Sequence, residues 1–378
     1  MNSILIAHSS AGNGHRAVAN TIKNTLESFI EETGNRGATN VILADSLSFG
    51  GALFRAFYTK GYEWTAQRMR WLISAIYTLT DKSMDESRLT RLIEKGVAES
   101  VKGLAGFIEA NDIGVICCTH FLPMSLLADM KRKGQFSGRL HVCVTDYQAH
   151  GFWADPDVDQ YYVATAAAAE RLAGWGIKPS RIRITGIPVS EKFSQITPSR
   201  WIRGSELNIL FSASSLKKRE CFRVLDEMSD TNIPMNVTLV AGRTESLVNA
   251  LSGHKTAAGK NLRIKGYVNN MAEIMASSDI IITKPGGVTC SEALCANLPM
   301  LFVAPIPKQE ILNARIISHQ GAGVICFRRG GVSSALRYLD GDRDRIRIMR
   351  QKCGEFAKPM AAQEIGAHLL DTSCGVAL

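Results

Sequence analysis

The sequence predicts an α/β protein made of two Rossmann-like, doubly wound domains in series. Three observations carry that reading. Short apolar runs alternate with helical stretches, the pattern of a parallel sheet covered by helices. The alternation restarts after about residue 198. Each half also has a glycine-bearing turn where a strand gives way to a helix: Gly12 and Gly14 in the first, Gly286 and Gly287 in the second.

The elements follow in order. Ser3–His8 reads as a buried strand, and an amphipathic helix runs from about His15 to Phe29. Val41–Ala44, Ile113–Cys118, Leu140–Thr145 and Gln160–Ala164 are further strands. Gly186, Pro188 and the Thr197-Pro198 turn mark the end of a first domain, 1–198. Asn208–Phe211 opens the second, 199–354, followed by strands at Val237–Ala241, Leu262–Lys265, Ile280–Thr283 and Met300–Val303. The stretch 355–378 reads as helical, and it is expected to pack back on the first domain.

Composition excludes several classes. With 46% hydrophobic and 21% charged residues among 378, the chain is neither disordered nor fibrous. No apolar run reaches the ~18 residues of a membrane span. The apolar start Ile4–Ala7 is too short for an export signal, which predicts a cytoplasmic protein. Nine cysteines, an odd number with no CxxC spacing, suggest neither a disulfide framework nor a zinc site. The formal net charge of +9 suits polyanionic partners. Much of the excess lies beyond residue 198. Residues 328–358 alone hold nine basic against four acidic side chains, a count that a solvated helix face also explains. No nucleic-acid-binding motif accompanies the charge.

Residues 49–77 break the alternation. They hold Phe57, Tyr58, Tyr62, Trp64 and Trp71 among eight aromatic residues, interleaved with Arg55, Lys60, Arg68 and Arg70. Aromatic rings and cations on amphipathic helices suit the interface of an anionic membrane. A core helix with charges turned to solvent gives the same pattern.

Three constellations could carry chemistry. In Ser9-Ser10-Ala11-Gly12-Asn13-Gly14-His15, glycines precede a helix N-terminus, whose free N–H groups suit an anion. GxGxxG is not met, because Ala17 stands at the third position, and no acidic residue marks a ribose site, so a nicotinamide cofactor is not expected. His15 at this mouth could act as a general base or simply cap the helix. In residues 279–295 a strand runs into Pro285-Gly286-Gly287 and a helix, which could hold a diphosphate with Glu292 on a ribose diol. In Pro305–Asn313, Gln309, Glu310 and Asn313 could face one ligand such as a sugar. Asp155-Pro156-Asp157 has the DxD form of some metal sites, but its proline favours a plain turn. Lys217-Lys218-Arg219 is either a phosphate contact or a solvated helix start.

These stretches resemble one family over most of residues 3–325. HSSAGNGHRAVA, TDYQAHGFWADPDVDQYYVAT, ITGIPVSEKF, GYVNNMAEIMASSDIIITKPGGVTCSEAL and LPMLFVAPIPKQEILNA occur in the order seen in monogalactosyldiacylglycerol synthases and processive diacylglycerol glucosyltransferases. These enzymes are relatives of the transferase that adds GlcNAc in lipid II synthesis.

The resemblance implies a glycosyltransferase B fold, two domains facing a cleft. It also implies inverting transfer of glucose or galactose from a UDP-sugar to diacylglycerol or a similar lipid. Gly266 and Tyr267 would lie by the uracil and Glu292 at the ribose, with Gly286, Gly287 and Thr289 at the diphosphate and Gln309 and Asn313 on the sugar. Ser212, Arg243, Lys308 and Glu310 complete the implied donor set. His15 would be the base, Asp146 and His150 would shape the site, and Gly14 would lie on the acceptor side. No metal is expected, and the implied location is the cytoplasmic face of the membrane, held peripherally through residues 49–77. Two departures from the family pattern stand out: Lys308 where glycine is usual, and Ser212-Ala213-Ser214-Ser215 in place of a glycine-rich loop. A transferase for another hydrophobic acceptor, and a non-catalytic UDP-sugar-binding relative, fit the same motifs.

Overall fold

Ser-Ile-Leu-Ile-Ala-His at Ser3–His8 forms β1 and is buried along its whole length, as a strand covered on both faces must be. The computed structural model describes residues 3–10, 13–33, 39–50, 102–196, 206–252, 261–305 and 308–373. The chain divides into two units, 1–190 with 360–378, and 191–359.

In the first unit β1 is joined by β2 (Val41–Asp45), β3 (Ile113–Cys118), β4 (Arg139–Cys143), β5 (Gln160–Val163) and β6 (Ile182–Ile184). All pairings are parallel, in the order β2-β1-β3-β4-β5-β6. The winding direction reverses at β1, so the loops leaving β1 and β3 turn to opposite faces. A crevice opens at the carboxyl ends of such strands.

Helix α1 (Asn13–Glu32) lies against the C-terminal helix Ala361–Ser373. Gly366 allows the close approach: a Cβ there would sit 3.2 Å from Thr25 Cγ2 and 3.4 Å from the Phe29 ring. A hydrogen-bonded relay also ties this last helix to the sheet. His141 Nδ1 lies 2.9 Å from the Tyr162 hydroxyl, which lies 2.7 Å from His368 Nδ1. His141 Nε2 is buried without a partner. An orphaned lone pair costs less than an orphaned N–H, which places the His141 proton on Nδ1. His141 therefore donates to Tyr162, and Tyr162 donates to His368. Burial pushes His141 down to about 3, so its ring is neutral in this arrangement.

The second unit holds β7 (Leu207–Ser212), β8 (Met235–Val240), β9 (Asn261–Lys265), β10 (Ile280–Thr283), β11 (Met300–Phe302) and β12 (Gly323–Ile325). Its order is β12-β11-β10-β7-β8-β9, again all parallel. Winding reverses between β7 and β10. Phe211, Leu239, Ile282 and Leu301 are fully buried in its core. Asp279, just before β10, accepts from Asn208 N at 2.9 Å and pairs with Arg350 at 3.6 Å, which fastens β7, β10 and the Asp344–Phe356 helix together.

The units divide at 190 and 359, not at 198 and 354. The short helix Glu191–Ser194 packs on the Gly287–Cys295 helix and so joins the second unit. Gly354 lies inside a helix, where a Cβ would come within 2.6 Å of Asn297 Oδ1. It marks a close approach rather than a stop. Two strands absent from the sequence reading, β6 and β12, are outermost strands of three residues each.

Candidate functional site

The first cluster forms where the loops leaving β1, β3 and β4 converge. His15, in the first turn of α1, has its Nδ1 2.7 Å from the Thr119 carbonyl and 3.0 Å from Thr145 Oγ1. A carbonyl only accepts, so the ring proton sits on Nδ1 and Nε2 keeps its lone pair. Thr119 Oγ1 returns a bond to the His15 carbonyl at 2.9 Å. Burial, together with the nearby His8, holds His15 down to about 4 against the opposing bond from Thr119. The imidazole is therefore neutral at pH 7, oriented, and able to accept a proton.

Two more imidazoles flank it. His120 packs edge-to-face on His15, with centroids 4.5 Å apart. His8 is buried, its Nδ1 has no partner, and burial lowers its pKa. The β1–β2 register sets His8 beside Asp45. The Asp45 carboxylate accepts from Ser10 N at 3.2 Å, from Ser10 Oγ, and from Leu47 N at 3.1 Å. It thereby pins the start of the glycine loop. Gly14 lies in the first turn of α1 beside His15. Asp146 follows Thr145 and is half-buried. His150 is buried and caps the Gly151–Trp153 turn, its Nδ1 accepting from Phe152 N at 3.2 Å.

The Asp155-Pro156-Asp157 stretch is a turn, as its proline suggested. Asp155 Oδ1 accepts from Asp157 N at 3.0 Å, and Arg132 pairs with both carboxylates, at 3.1 and 2.6 Å. Among the described residues no group of His, Cys, Asp or Glu is arranged to hold a metal ion.

The second cluster lies at the carboxyl ends of β7 to β10. Ser212 ends β7. Gly242, at φ +71, lets the loop after β8 touch the serine loop, where a Cβ would come within 2.7 Å of Ser214 Cβ. Gly266 leaves β9 beside the Gly242 carbonyl, at 3.5 Å from its would-be Cβ. The next residue, Tyr267, is 59% exposed and carries the Arg243 guanidinium 4.4 Å above its ring.

From β10 the chain runs through Pro285 and an extended Gly286 into the Gly287–Cys295 helix. Nothing lies within 4 Å of a Cβ built on Gly286, so the approach to that helix N-terminus is open. The helix has no acidic residue in its first turn, leaving its N–H groups and positive dipole end to an anion. Thr289 lies in that turn, half-buried. Glu292 follows one turn later, and burial pushes its carboxyl up to about 7.

The Gln309–His319 helix braces this loop from behind. Asn313 is fully buried and donates through Nδ2 to the Pro285 carbonyl at 3.1 Å, while Glu310 pairs with Lys284 at 3.1 Å. Of Gln309, Glu310 and Asn313, the last points inward, because the turn's carbonyl needs a donor more than the surface needs an amide. Lys308, which precedes the helix, has φ +70 and ψ −73, a γ-turn conformation strained for any residue with a Cβ. Phe57, Tyr58, Tyr62, Trp64, Arg68 and Trp71 lie outside the described residues. Sequence reasoning did not single out Asp45, Thr119, His120, Thr145 or Lys284, because each acts through a partner distant in sequence.

The architecture has clear relatives. MurG of Acinetobacter baumannii superposes with a TM-score of 0.66 at 14% identity, over 98% of this chain and all of that one. Staphylococcus aureus MnaA, solved with UDP, gives 0.67 at 11% identity over 100% and 98%. Anabaena HepE, solved with UDP-glucose, gives 0.55 at 12% over 99% and 100%. Two six-stranded parallel sheets of this kind define the glycosyltransferase B fold. Residues 15–189 match the monogalactosyldiacylglycerol (MGDG) synthase model, and residues 216–336 match the glycosyltransferase family 28 C-terminal domain. The processive diacylglycerol beta-glucosyltransferases of Staphylococcus epidermidis and Bacillus subtilis are 28% and 26% identical to this chain. They match over 97% and 98% of this chain and 92% and 95% of their own lengths. The chain is thus similar to MGDG synthases over most of its first unit and to family 28 glycosyltransferases over most of its second.

Proposed function

We propose that this protein transfers a hexose from UDP-glucose or UDP-galactose to the hydroxyl of diacylglycerol or a closely related membrane lipid, with inversion. The observation that carries the reading is His15, a neutral, Nδ1-anchored imidazole at the sheet reversal of the unit that matches the MGDG synthase model. Full-length likeness to diacylglycerol glucosyltransferases supports the substrate pair.

In this mechanism Nε2 of His15 takes the proton of the acceptor hydroxyl. The freed oxygen attacks the anomeric carbon, and the bond from that carbon to the diphosphate breaks, its electron pair leaving with UDP. The N–H groups at Gly287–Thr289 stabilise the departing diphosphate. Tyr267 with Arg243 offers a stacking platform for the uracil. Glu292 accepts hydrogen bonds from the ribose diol. Gln309 meets the sugar, while Asn313, Lys284 and Glu310 fix the loop that carries these groups. Lys308 adds a cation at the mouth of the donor site, and Ser212 provides a hydroxyl where family members have glycine. Asp146, Gly14 and His150 line the acceptor side.

The reaction so described uses no metal, because helix dipole and cations offset the diphosphate charge. Among the described residues no helix is long and apolar enough to cross a membrane. The aromatic and basic residues of 49–77 and the net charge of +9 favour peripheral contact with an anionic bilayer from the cytoplasmic side.

The test is UDP release by purified protein with anionic vesicles containing diacylglycerol. Lipid-dependent release with one of the two donors, undiminished by EDTA, is the expected result. Release that ignores the lipid would instead indicate a soluble acceptor, and tight UDP binding without release would indicate a non-catalytic relative.

A further inference from the structure

His120 is a buried imidazole packed on His15 to which the mechanism gives no task. Its Nδ1 accepts from Leu122 N at 3.0 Å, capping the Phe121–Arg132 helix. The ring proton must therefore sit on Nε2. The side chain is 96% buried (4% exposed), and among the described residues Nε2 has no hydrogen-bond partner. Burial, with His15 and His8 nearby, keeps the ring neutral.

The two touching imidazoles thus have opposite polarity. Nε2 of His15 is an acceptor, and Nε2–H of His120 is a donor. Beyond His120 a row of rings leads away from the base. Phe121 stacks on His120 at 4.3 Å, and Phe152 stacks on Phe121 at 5.3 Å.

The proposed acceptor has the matching sequence of groups. A diacylglycerol carries one hydroxyl that must lose a proton, then ester carbonyls that can only accept, then hydrocarbon. We infer that His120 is a substrate-positioning residue whose Nε2–H donates to the ester carbonyl nearest the reacting hydroxyl, with Phe121 and Phe152 as the platform for the first methylenes of the acyl chain. This inference rests on the acceptor reading above. It adds a specificity: the enzyme distinguishes an ester-linked from an ether-linked lipid, because only the former returns the hydrogen bond.

The experiment compares diacylglycerol with a dialkylglycerol of equal chain length in mixed vesicles. The proteins are wild type, His120→Asn and His120→Gln. Asparagine keeps a cap acceptor for Leu122 N but cannot reach as far as Nε2, whereas glutamine restores a donor near that position. Thermal melts confirm that each variant folds. One neutral hydrogen bond is worth about fivefold to tenfold, so wild type should prefer the ester lipid by about that factor in kcat/KM, chiefly through KM. His120→Asn should bring the ratio close to one, and His120→Gln should recover part of it. Equal wild-type rates on both lipids would overturn the assignment and leave the lipid-transferase reading standing, as would an Asn variant that loses the same factor on both. A wild-type protein that glycosylates neither lipid would overturn the acceptor reading itself.

Discussion

The two sheet reversals are built alike and equipped differently. At the β1–β3 reversal the chemical groups belong to side chains, with His120 packed on His15 and His8 beside Asp45. At the β7–β10 reversal they belong mostly to the backbone. Gly242, Gly266 and Gly286 keep three loops thin, and a helix N-terminus faces the opening. Proton transfer needs a group whose affinity can be tuned, and burial of an imidazole does that. Holding a diphosphate needs many fixed dipoles at short range, which peptide N–H groups supply. In the proposed mechanism one topology serves both tasks by changing what stands at its strand ends.

The largest effect that separates the two regions should come from His15. His15→Ala should cut kcat by about 10²–10⁴-fold while leaving UDP affinity, measured by calorimetry, within twofold. A variant that kept its transfer rate would remove the base from the first region.

The next effect is pH dependence, and the two regions should titrate apart. Glu292 is raised to about 7 by burial. If its carboxylate holds the ribose, donor binding is weak while the group is protonated and strengthens as pH rises through about 7. The KM for the UDP-sugar should fall roughly tenfold from pH 6 to pH 8, and Glu292→Gln should flatten that slope. His15, held near 4, must be neutral to act. The acid limb of kcat/KM for the acceptor, at saturating donor, should therefore lie near pH 4–5, below the ordinary imidazole range. An acceptor limb near 6.5 would show that His15 is not the base or is not buried during turnover.

The smallest effect is at Lys308. A lysine at positive φ costs on the order of 1–3 kcal/mol, and glycine returns about 0.5–1 of that as chain entropy. Lys308→Gly should raise the melting temperature by about 2–4 °C. Donor KM should rise severalfold if the ammonium meets the diphosphate, and it should stay unchanged if Lys308 is merely tolerated strain.

Much of the fold was legible because buried parallel strands are uninterrupted apolar runs. Ile113–Cys118 and Ile280–Thr283 were read to the residue. β6 and β12 were not. Each has three residues and half-open neighbours at a sheet edge, and Ile184 is 46% exposed, so neither shows a hydrophobic signal. The glycine loops and His15 were legible for the same local reason, since a turn and the helix after it are contiguous in sequence. The bond from Asn313 to the Pro285 carbonyl was not legible, because i and i+4 spacing fixes a shared helix face but not which way that face looks.

The amino-acid sequence by itself determined the two α/β units and the residues at the strand-to-helix turns, because all of these are written in local order and spacing. Tertiary structure decided the rest. It set which nitrogen of His15 keeps its lone pair, how far burial lowers that imidazole and raises Glu292, and that His120 stands against His15. Those properties depend on partners more than a hundred residues away, and on water excluded by neighbours that no local pattern names.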